Sequence, residues 1–320
     1  MRSVRRSALG ATALALAVAT ALAACSSGGG GTTSGGGATV ASKLVLGGPP
    51  ECPQRPFCIP GLKNTYGLTF KEFKPLDVGG SQTVAALKSG AIQVALLFST
   101  DPVISDNGWV ALEDDKHLQN AELITPVIRT DKLNDEISKL LNDISGKLTT
   151  DNIVPLIKDV AANKKDPADV ARGFLQQQGL MPSSGSGAGK SLTVGVSSAF
   201  AENEIVAEMY AEALQAAGYS IKTELSLATR EVSDPALESG KIDLKPEYLA
   251  SELAGPIANA ADKASGDADA ELTALRSALQ SHGITVLDPS QANDTNVFVV
   301  TKDTADKYGL SKVSDLAKKV

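Results

Sequence analysis

The segment Ala86-Leu87-Lys88-Ser89-Gly90-Ala91-Ile92 has a counterpart 150 positions further along, Ala236-Leu237-Glu238-Ser239-Gly240-Lys241-Ile242. The alanine, leucine, serine, glycine and isoleucine recur at the same internal spacing. The match extends upstream, where residues 44–47 correspond to residues 192–195, and residues 67–76 correspond to residues 218–227. The chain is therefore predicted to contain a duplicated structural unit.

Each copy of this unit reads as strand, helix, strand, helix, strand. The predicted strands are residues 43–46, 68–73 and 92–98 in one copy and residues 192–196, 220–225 and 242–244 in the other. A helix is predicted over residues 204–217, and Asp166-Pro167 is a typical helix start. The pattern predicts two α/β lobes, with a small-molecule cleft at the carboxyl ends of their strands.

The first residues predict export. A basic start is followed by an apolar run over residues 8–21, and then by Leu22-Ala23-Ala24-Cys25, a small-residue cleavage site that ends in cysteine. This pattern resembles a bacterial lipoprotein signal, which implies a signal peptide over residues 1–24 and lipidation of Cys25. The alternative is an ordinary secretory signal with a coincidental cysteine. Residues 25–39 are rich in Gly, Ser and Thr and are predicted to form a tether.

The charge balance bears on partners. The chain of 320 residues has a formal net charge of -7, and removal of the leader with its three arginines leaves -10. An acidic surface of this kind argues against a general nucleic-acid binder. The sequence offers no recognisable nucleophile setting, so no enzyme is predicted.

The cysteine count favours a disulfide. If Cys25 carries lipid, Cys52 and Cys58 remain, six residues apart, in an oxidising compartment. A metal site is the competing interpretation, but His117 and His282 are the only histidines and lie far apart in the sequence. We expect the disulfide, with neither a metal nor a cofactor.

Several segments resemble the glycine-betaine, choline and osmoprotectant solute-binding proteins of ABC importers. Residues 64–80, 86–90, 98–101 and 112–116 look like the second half of that family, and residues 194–204, 236–240 and Pro246-Glu247-Tyr248 look like the first half. The halves stand in reverse order. The chain thus resembles a circularly permuted member of the family, in which residues 181–190 join the usual ends.

The resemblance implies a two-lobe, periplasmic-binding-protein-like (type II) α/β fold with the ligand cleft between its lobes. One lobe is expected to be continuous over residues 121–289. The other is expected to be split into residues 40–120 and 290–320. Residues 122–128 and 295–300 are the expected crossings between the lobes, about which the two would close.

The resemblance also implies a site that uses aromatic faces, because a quaternary ammonium has no N–H to donate. Tyr248 matches a family cage position, and Phe98 and Phe200 stand where strands open into the cleft; core packing is the alternative for all three. Arg55 and Arg230 are candidates to pair with a carboxylate, or else are surface arginines. The remaining candidate ligand-binding residues are Ser99, Thr100, Asp101, Ser198 and Thr229. Many family members have a lysine where Ser198 stands.

The function implied is a monomeric, non-enzymatic lipoprotein, anchored to the outer face of the cell membrane, which delivers a betaine-like solute to an ABC permease. The alternative is an exported sensory or adhesive lipoprotein that uses the same fold for protein contact. No nucleic-acid partner is expected.

Overall fold

The structure is a computed structural model that describes residues 38–197 and 200–320. The predicted signal peptide, Cys25 and Ser198 lie outside the described residues. The strands are β1 (Val45–Gly48), β2 (Glu72–Pro75), β3 (Val94–Phe98), β4 (Val110–Leu112), β5 (Ile124–Arg129), β6 (Ser191–Ser197), β7 (Ser220–Leu227), β8 (Leu244–Tyr248), β9 (Ile284–Val286) and β10 (Asn296–Val300).

The helices frame these strands. They are α1 (Ile59–Tyr66), α2 (Ser81–Lys88), α3 (Pro102–Asp106), α4 (Asp135–Ser145), α5 (Thr150–Ala161), α6 (Pro167–Gln177), α7 (Ala201–Ala216), α8 (Arg230–Glu238), α9 (Leu249–Leu253), α10 (Ala268–Gln280) and α11 (Lys302–Tyr308). Short 3-10 helices cover Ala41–Lys43, Thr130–Lys132, Ala261–Lys263 and Val313–Ala317.

The strands form two five-stranded sheets with matching topology. The first sheet has the order β2-β1-β3-β10-β4, and the second has the order β7-β6-β8-β5-β9. In both sheets the first three strands are parallel, and the fourth runs antiparallel to its neighbours. We call the part of the chain around each sheet the first and the second lobe. The prediction of a two-lobe α/β fold is confirmed.

Repeated glycines have repeated structural reasons. A side chain on Gly47 would lie 2.5 Å from the Ile92 side chain, and one on Gly195 would lie 2.6 Å from Ile242. The strand backbone therefore passes close to the equivalent isoleucine in each lobe. Gly90 and Gly240 end the equivalent helices with φ values of 75° and 76°, a conformation that favours glycine.

The predicted strands are present, with shifted bounds. The first begins at Val45 because residues 41–43 turn into a 3-10 helix. The second, predicted at residues 68–73, is Glu72–Pro75, and the third strand of the second lobe begins at Leu244, where the prediction ended, and runs to Tyr248. The predicted helix start is confirmed, since the Asp166 side chain accepts hydrogen bonds from the backbone of Ala168 and Asp169 at the beginning of α6.

The crossings between the lobes are shorter than the sequence predicts. Residues 124–128 pair with β8 inside the second sheet, and residues 296–300 pair with β3 inside the first. What remains is a pair of segments that meet at an antiparallel bridge between Leu123 and Asn293. The Glu122 backbone N–H donates to Asn293 Oδ1 at 2.9 Å, which ties the two crossings together.

Residues 181–190 pack on the second lobe. The Ser186 backbone N–H and hydroxyl both donate to the Glu136 carboxylate, and the Gly187 N–H donates to the Ala217 carbonyl at 3.1 Å. The chain segments at residues 38–40 and 318–320 also lie side by side. There the Val40 N–H donates to the Lys318 carbonyl and the Val320 N–H donates to the Ala38 carbonyl, each at 2.9 Å.

Apart from residues 1–37 and 198–199, which are not described, no helix has both the length and the apolar character needed to span a membrane.

Candidate functional site

A cavity of about 310 Å³ lies where the carboxyl ends of β3 and β8 and the two crossings come together. Its lining residues come from both lobes: Arg55, Phe57, Val78, Phe98, Gln119, Asn120, Glu122, Phe200, Tyr248, Ser251, Asp294, Thr295 and Asn296. A cleft at strand ends, built from two lobes, is a usual place for a small ligand.

Three aromatic rings form one wall of this cavity. Phe98 ends β3 in the first lobe, while Tyr248 ends β8 and Phe200 precedes α7 in the second. The ring centroids of Phe98 and Phe200 are 6.4 Å apart, and those of Phe200 and Tyr248 are 6.0 Å apart, both edge to face. Phe200 is 42 % exposed and Tyr248 is 3 % exposed, so the Phe200 ring is partly in contact with solvent while the Tyr248 ring is buried.

The hydroxyl of Tyr248 continues into a chain of buried acids. It donates to Glu202 Oε1 at 2.7 Å, and the Glu202 carboxyl hydrogen-bonds that of Asp294. The Thr100 hydroxyl donates to Asp294 from the first lobe. Burial, together with the charge of Asp294, raises the pKa of Glu202 to about 7, and burial also raises the pKa of Asp294. A hydrogen bond between two carboxyls needs a proton on one of them, so the pair carries at most one negative charge while this bond is made.

Glu122 brings a further carboxylate to the cavity from the first crossing. Its oxygens accept hydrogen bonds from the Ser251 backbone N–H and hydroxyl, each at 3.0 Å. Burial raises the pKa of Glu122 to about 7, although these hydrogen bonds and the positive charge of Arg230 act in the opposite direction.

Behind Tyr248 lies a buried ion cluster. The ammonium of Lys245, with a fully buried side chain, contacts Asp234, Glu247 at 3.0 Å and Glu252 at 3.2 Å. Burial alone would lower the pKa of Lys245, but these carboxylates raise it. Arg230 also bonds Glu247, at 2.8 Å, and its guanidinium lies 5.9 Å from the centroid of the Tyr248 ring.

This cluster has the spacing of a metal site, because ligand oxygens of Asp234, Glu247 and Glu252 lie within 4.8 Å of one another. Lys245 already contacts all three of them. The protein thus supplies its own cation at this position, and the cluster joins the side chains of Lys245 and Glu247 on β8 to those of Asp234 and Glu252.

The structure separates the residues proposed from the sequence into groups. Phe98, Phe200, Tyr248 and Arg55 line the cavity. Thr229 and Arg230 line an adjoining cavity of about 300 Å³, which shares Phe200 and Ser251 with the first.

Ser99, Thr100 and Asp101 are not among the lining residues, and they support the site from behind. The Ser99 hydroxyl donates to the Asn293 carbonyl at 2.6 Å, and Asp101 caps α3 by accepting from the Val103 N–H at 3.0 Å. Cys52 and Cys58 form a disulfide, with Cα atoms 5.3 Å apart, at the base of the loop that carries Arg55.

Sequence reasoning missed the acids of the site. Glu122 and Asp294 lie on the crossing segments, and Glu202 lies in the first turn of α7, where a glutamate is ordinarily a helix-dipole partner. The one available signal was the segment Asn293-Asp294-Thr295-Asn296, a run of polar residues that ends at the first residue of β10.

The cavity and its two lobes agree with a comparison of the whole sequence. A family model described as the substrate binding domain of ABC-type glycine betaine transport system (OpuAC) matches residues 14–177 and 190–320. The chain belongs to this family. The two matched segments of the OpuAC family leave residues 178–189 between them, the region of the segment that packs on the second lobe.

Two curated relatives are similar over part of their length. The carnitine transport binding protein OpuCC of Listeria monocytogenes serotype 1/2a (strain 10403S) is 32% identical over 116 residues, which cover 35% of this chain and 36% of that protein. A glycine-betaine-binding protein of Pseudomonas aeruginosa (strain PAO1) is 29% identical over 119 residues, or 37% of each. The chain therefore spans little more than a third of the length of these relatives.

Solved structures show a more distant likeness. A phosphate-binding protein of a Streptococcus pneumoniae TIGR4 phosphate ABC transporter has a TM-score of 0.41 at 11% identity, covering 86% of this chain and 94% of that one. An ancestral arginine-binding protein bound to arginine has a TM-score of 0.35 at 15% identity, covering 86% and 91%. No conclusion about the ligand follows from similarity at this level.

Proposed function

We propose that this protein is the substrate-binding protein of an ABC importer and that it binds a small quaternary amine in the cavity between its lobes. The observation that carries the proposal is the wall formed by Phe98, Phe200 and Tyr248. Aromatic faces attract a quaternary ammonium, whose nitrogen carries no N–H and so cannot donate a hydrogen bond. Membership of the glycine betaine family supports the same ligand class.

A thermal-shift titration of the purified full-length protein tests this proposal. Glycine betaine, choline and carnitine are compared with glycine, which lacks the methyl groups and serves as the matched control. At a concentration 100 times its dissociation constant, a ligand stabilises the folded state by about 2.7 kcal/mol, which corresponds to several degrees in Tm. Low ligand concentrations avoid general osmolyte stabilisation. Absence of a shift with every methylated amine, in protein shown to be folded, contradicts the proposal.

The proposed setting is extracytoplasmic, with the mature chain anchored by lipid on Cys25, monomeric, and in contact with an ABC permease. The lipoprotein-like residues 1–25 support the anchor, and the family supports the permease. Mass analysis of the protein recovered from membranes tests the anchor: the amino-terminal peptide should begin at a diacylated or triacylated Cys25.

We also propose that the two halves are circularly permuted relative to the order usual in the family, with lobes of residues 40–120 plus 290–320 and of residues 121–289. The pairing of residues 38–40 with residues 318–320 supports this, because joined ends at that place need only a short connection. A variant that joins Val320 to Val40 and opens the chain between Met181 and Lys190 should fold and bind the same ligand with similar affinity. Loss of folding in that variant contradicts the permutation.

A further inference from the structure

Glu122 is a cavity residue that forms no salt bridge with any cation of residues 38–197 and 200–320, the part of the chain that the structure describes. The groups that donate to its carboxylate are the Ser251 backbone N–H and hydroxyl, both neutral. Arg230 attracts it at longer range, but the guanidinium bonds Glu247 at 2.8 Å. Each carboxylate oxygen has a second lone pair, so Glu122 keeps acceptor capacity beyond its bonds to Ser251.

The neighbouring charges do not supply the missing cation. In the cluster behind Tyr248, Lys245 and Arg230 face three carboxylates, those of Asp234, Glu247 and Glu252. Both cations are thus bonded within the cluster, where burial raises the pKa of Glu252 to about 8, so that this carboxyl is largely neutral at pH 7. Arg230 acts on Glu122 only at longer range, because its guanidinium is engaged by Glu247 and Glu252.

The second crossing brings a further acid, Asp294, to the cavity. Asp294 lines the cavity, is 8 % exposed, and is hydrogen-bonded to the Glu202 carboxyl. The remaining cation in the lining is Arg55, whose side chain is 35% exposed and lies 3.9 Å from Glu51. Arg55 therefore stands in contact with solvent, where screening weakens its effect on the buried acids.

We propose that Glu122, assisted by Asp294, is the specificity-determining counter-ion of the cavity, so that the site selects a ligand with a net positive charge over a zwitterionic betaine. This inference rests on the function proposed above. Both ligand types present a methylated ammonium to Phe98, Phe200 and Tyr248. They differ in the carboxylate of the betaine, which in a cavity of about 310 Å³ is brought close to Glu122 and Asp294. Like charges in a partly desolvated site repel, and a desolvated carboxylate without a donor is costly.

Isothermal titration of the full-length protein with choline, tetramethylammonium and glycine betaine tests the inference. We expect both cations to bind at least tenfold more tightly than glycine betaine. Glu122→Gln keeps the size and one acceptor oxygen but removes the charge, and should reduce the ratio of cation to betaine affinity at least tenfold. Asp294→Asn should also reduce the ratio of cation to betaine affinity. Glu113→Gln is the matched control, since Glu113 is exposed and lies outside the cavity lining.

The outcomes separate the two proposals. If glycine betaine binds as tightly as choline, or if Glu122→Gln leaves the affinity ratio unchanged, the counter-ion role is wrong while the receptor function stands. If none of the three compounds binds to folded protein, both proposals fail together. The inference is supported if the cations bind more tightly than glycine betaine, if Glu122→Gln removes this difference in affinity, and if Glu113→Gln keeps it. Circular dichroism of each variant confirms that the comparison is made between folded proteins.

Discussion

Replacing Phe200 by leucine isolates the contribution of one aromatic face. The ring lies between Phe98 and Tyr248, at centroid distances of 6.4 and 6.0 Å, and is 42 % exposed. Leucine keeps an apolar side chain but removes the π-system. A cation over one aromatic face gains about 0.5 to 2 kcal/mol, so Phe200→Leu should raise the Kd for a quaternary amine by about 2- to 30-fold.

The stability cost of this change should be small, because a side chain as exposed as Phe200 contributes little to the core; we expect less than about 1 kcal/mol. Isothermal titration with the best-binding methylated amine measures the effect. Phe70→Leu is the control, since Phe70 packs against the core of the first lobe and is not among the cavity residues. Phe70→Leu should leave Kd unchanged. A Kd for Phe200→Leu within twofold of the wild-type value, in folded protein, would refute the aromatic wall as the cation site.

Three further predictions follow from the charges and the disulfide. Lys245→Met leaves buried carboxylates without their cation and should lower the free energy of unfolding, measured in urea titrations, by about 3 to 5 kcal/mol. Lys222 is exposed, so Lys222→Met should change this free energy by less than about 0.5 kcal/mol, and equal effects of the two substitutions would contradict the role of the buried cluster. Burial raises the pKa of Glu122 to about 7, and Arg230, Asp294 and Glu271 are its charged or titratable neighbours. The affinity for a cation should therefore rise up to about tenfold from about pH 6 to about pH 8, as the Glu122 carboxyl group loses its proton. If Glu122→Gln does not flatten this pH profile, another group is responsible for the titration. Peptide mapping should find Cys52 and Cys58 bonded, and alkylation of both thiols without a reductant would contradict this. Their reduction should lower stability by about 2 kcal/mol and weaken ligand binding, because the loop between them carries Phe57, which lines the cavity.

The repeated segment predicted much of the fold. Ile92 and Ile242 pack against the glycine-containing strands of their own lobes, and this close approach is why the same residue types recur at the same spacing. The extent of the crossings was not predictable from periodicity. Residues 124–128 are an apolar strand that suits either sheet, and their place in the second sheet is decided by pairing with β8, a long-range contact.

The site was predictable where it depends on strand ends. Phe98 was proposed because it ends a recognisable buried strand, and the carboxyl ends of parallel strands point to the cleft. Tyr248 was proposed from the resemblance of Pro246-Glu247-Tyr248 to a family motif, and the structure places it at the end of β8. Glu122 and Asp294 were not found because they lie in irregular segments, where no period identifies the side that faces a cavity. Arg230, which the sequence offered either as a partner for a ligand carboxylate or as a surface arginine, bonds Glu247, a partner whose position became clear only in three dimensions.

The location of the two missed acids connects ligand selection with lobe movement. Glu122 and Asp294 belong to the two crossings, and the Asp294 N–H donates to the Glu122 carbonyl at 3.1 Å, so their backbones are tied to each other as well as facing the cavity. In two-lobe receptors, closure is absorbed by a few residues at such crossings. A ligand that neutralises these carboxylates changes the repulsion between the crossing segments themselves. Under the proposed function, a cation would therefore act on the hinge directly, whereas a ligand held by the aromatic rings alone would act on the lobes and reach the hinge only through them.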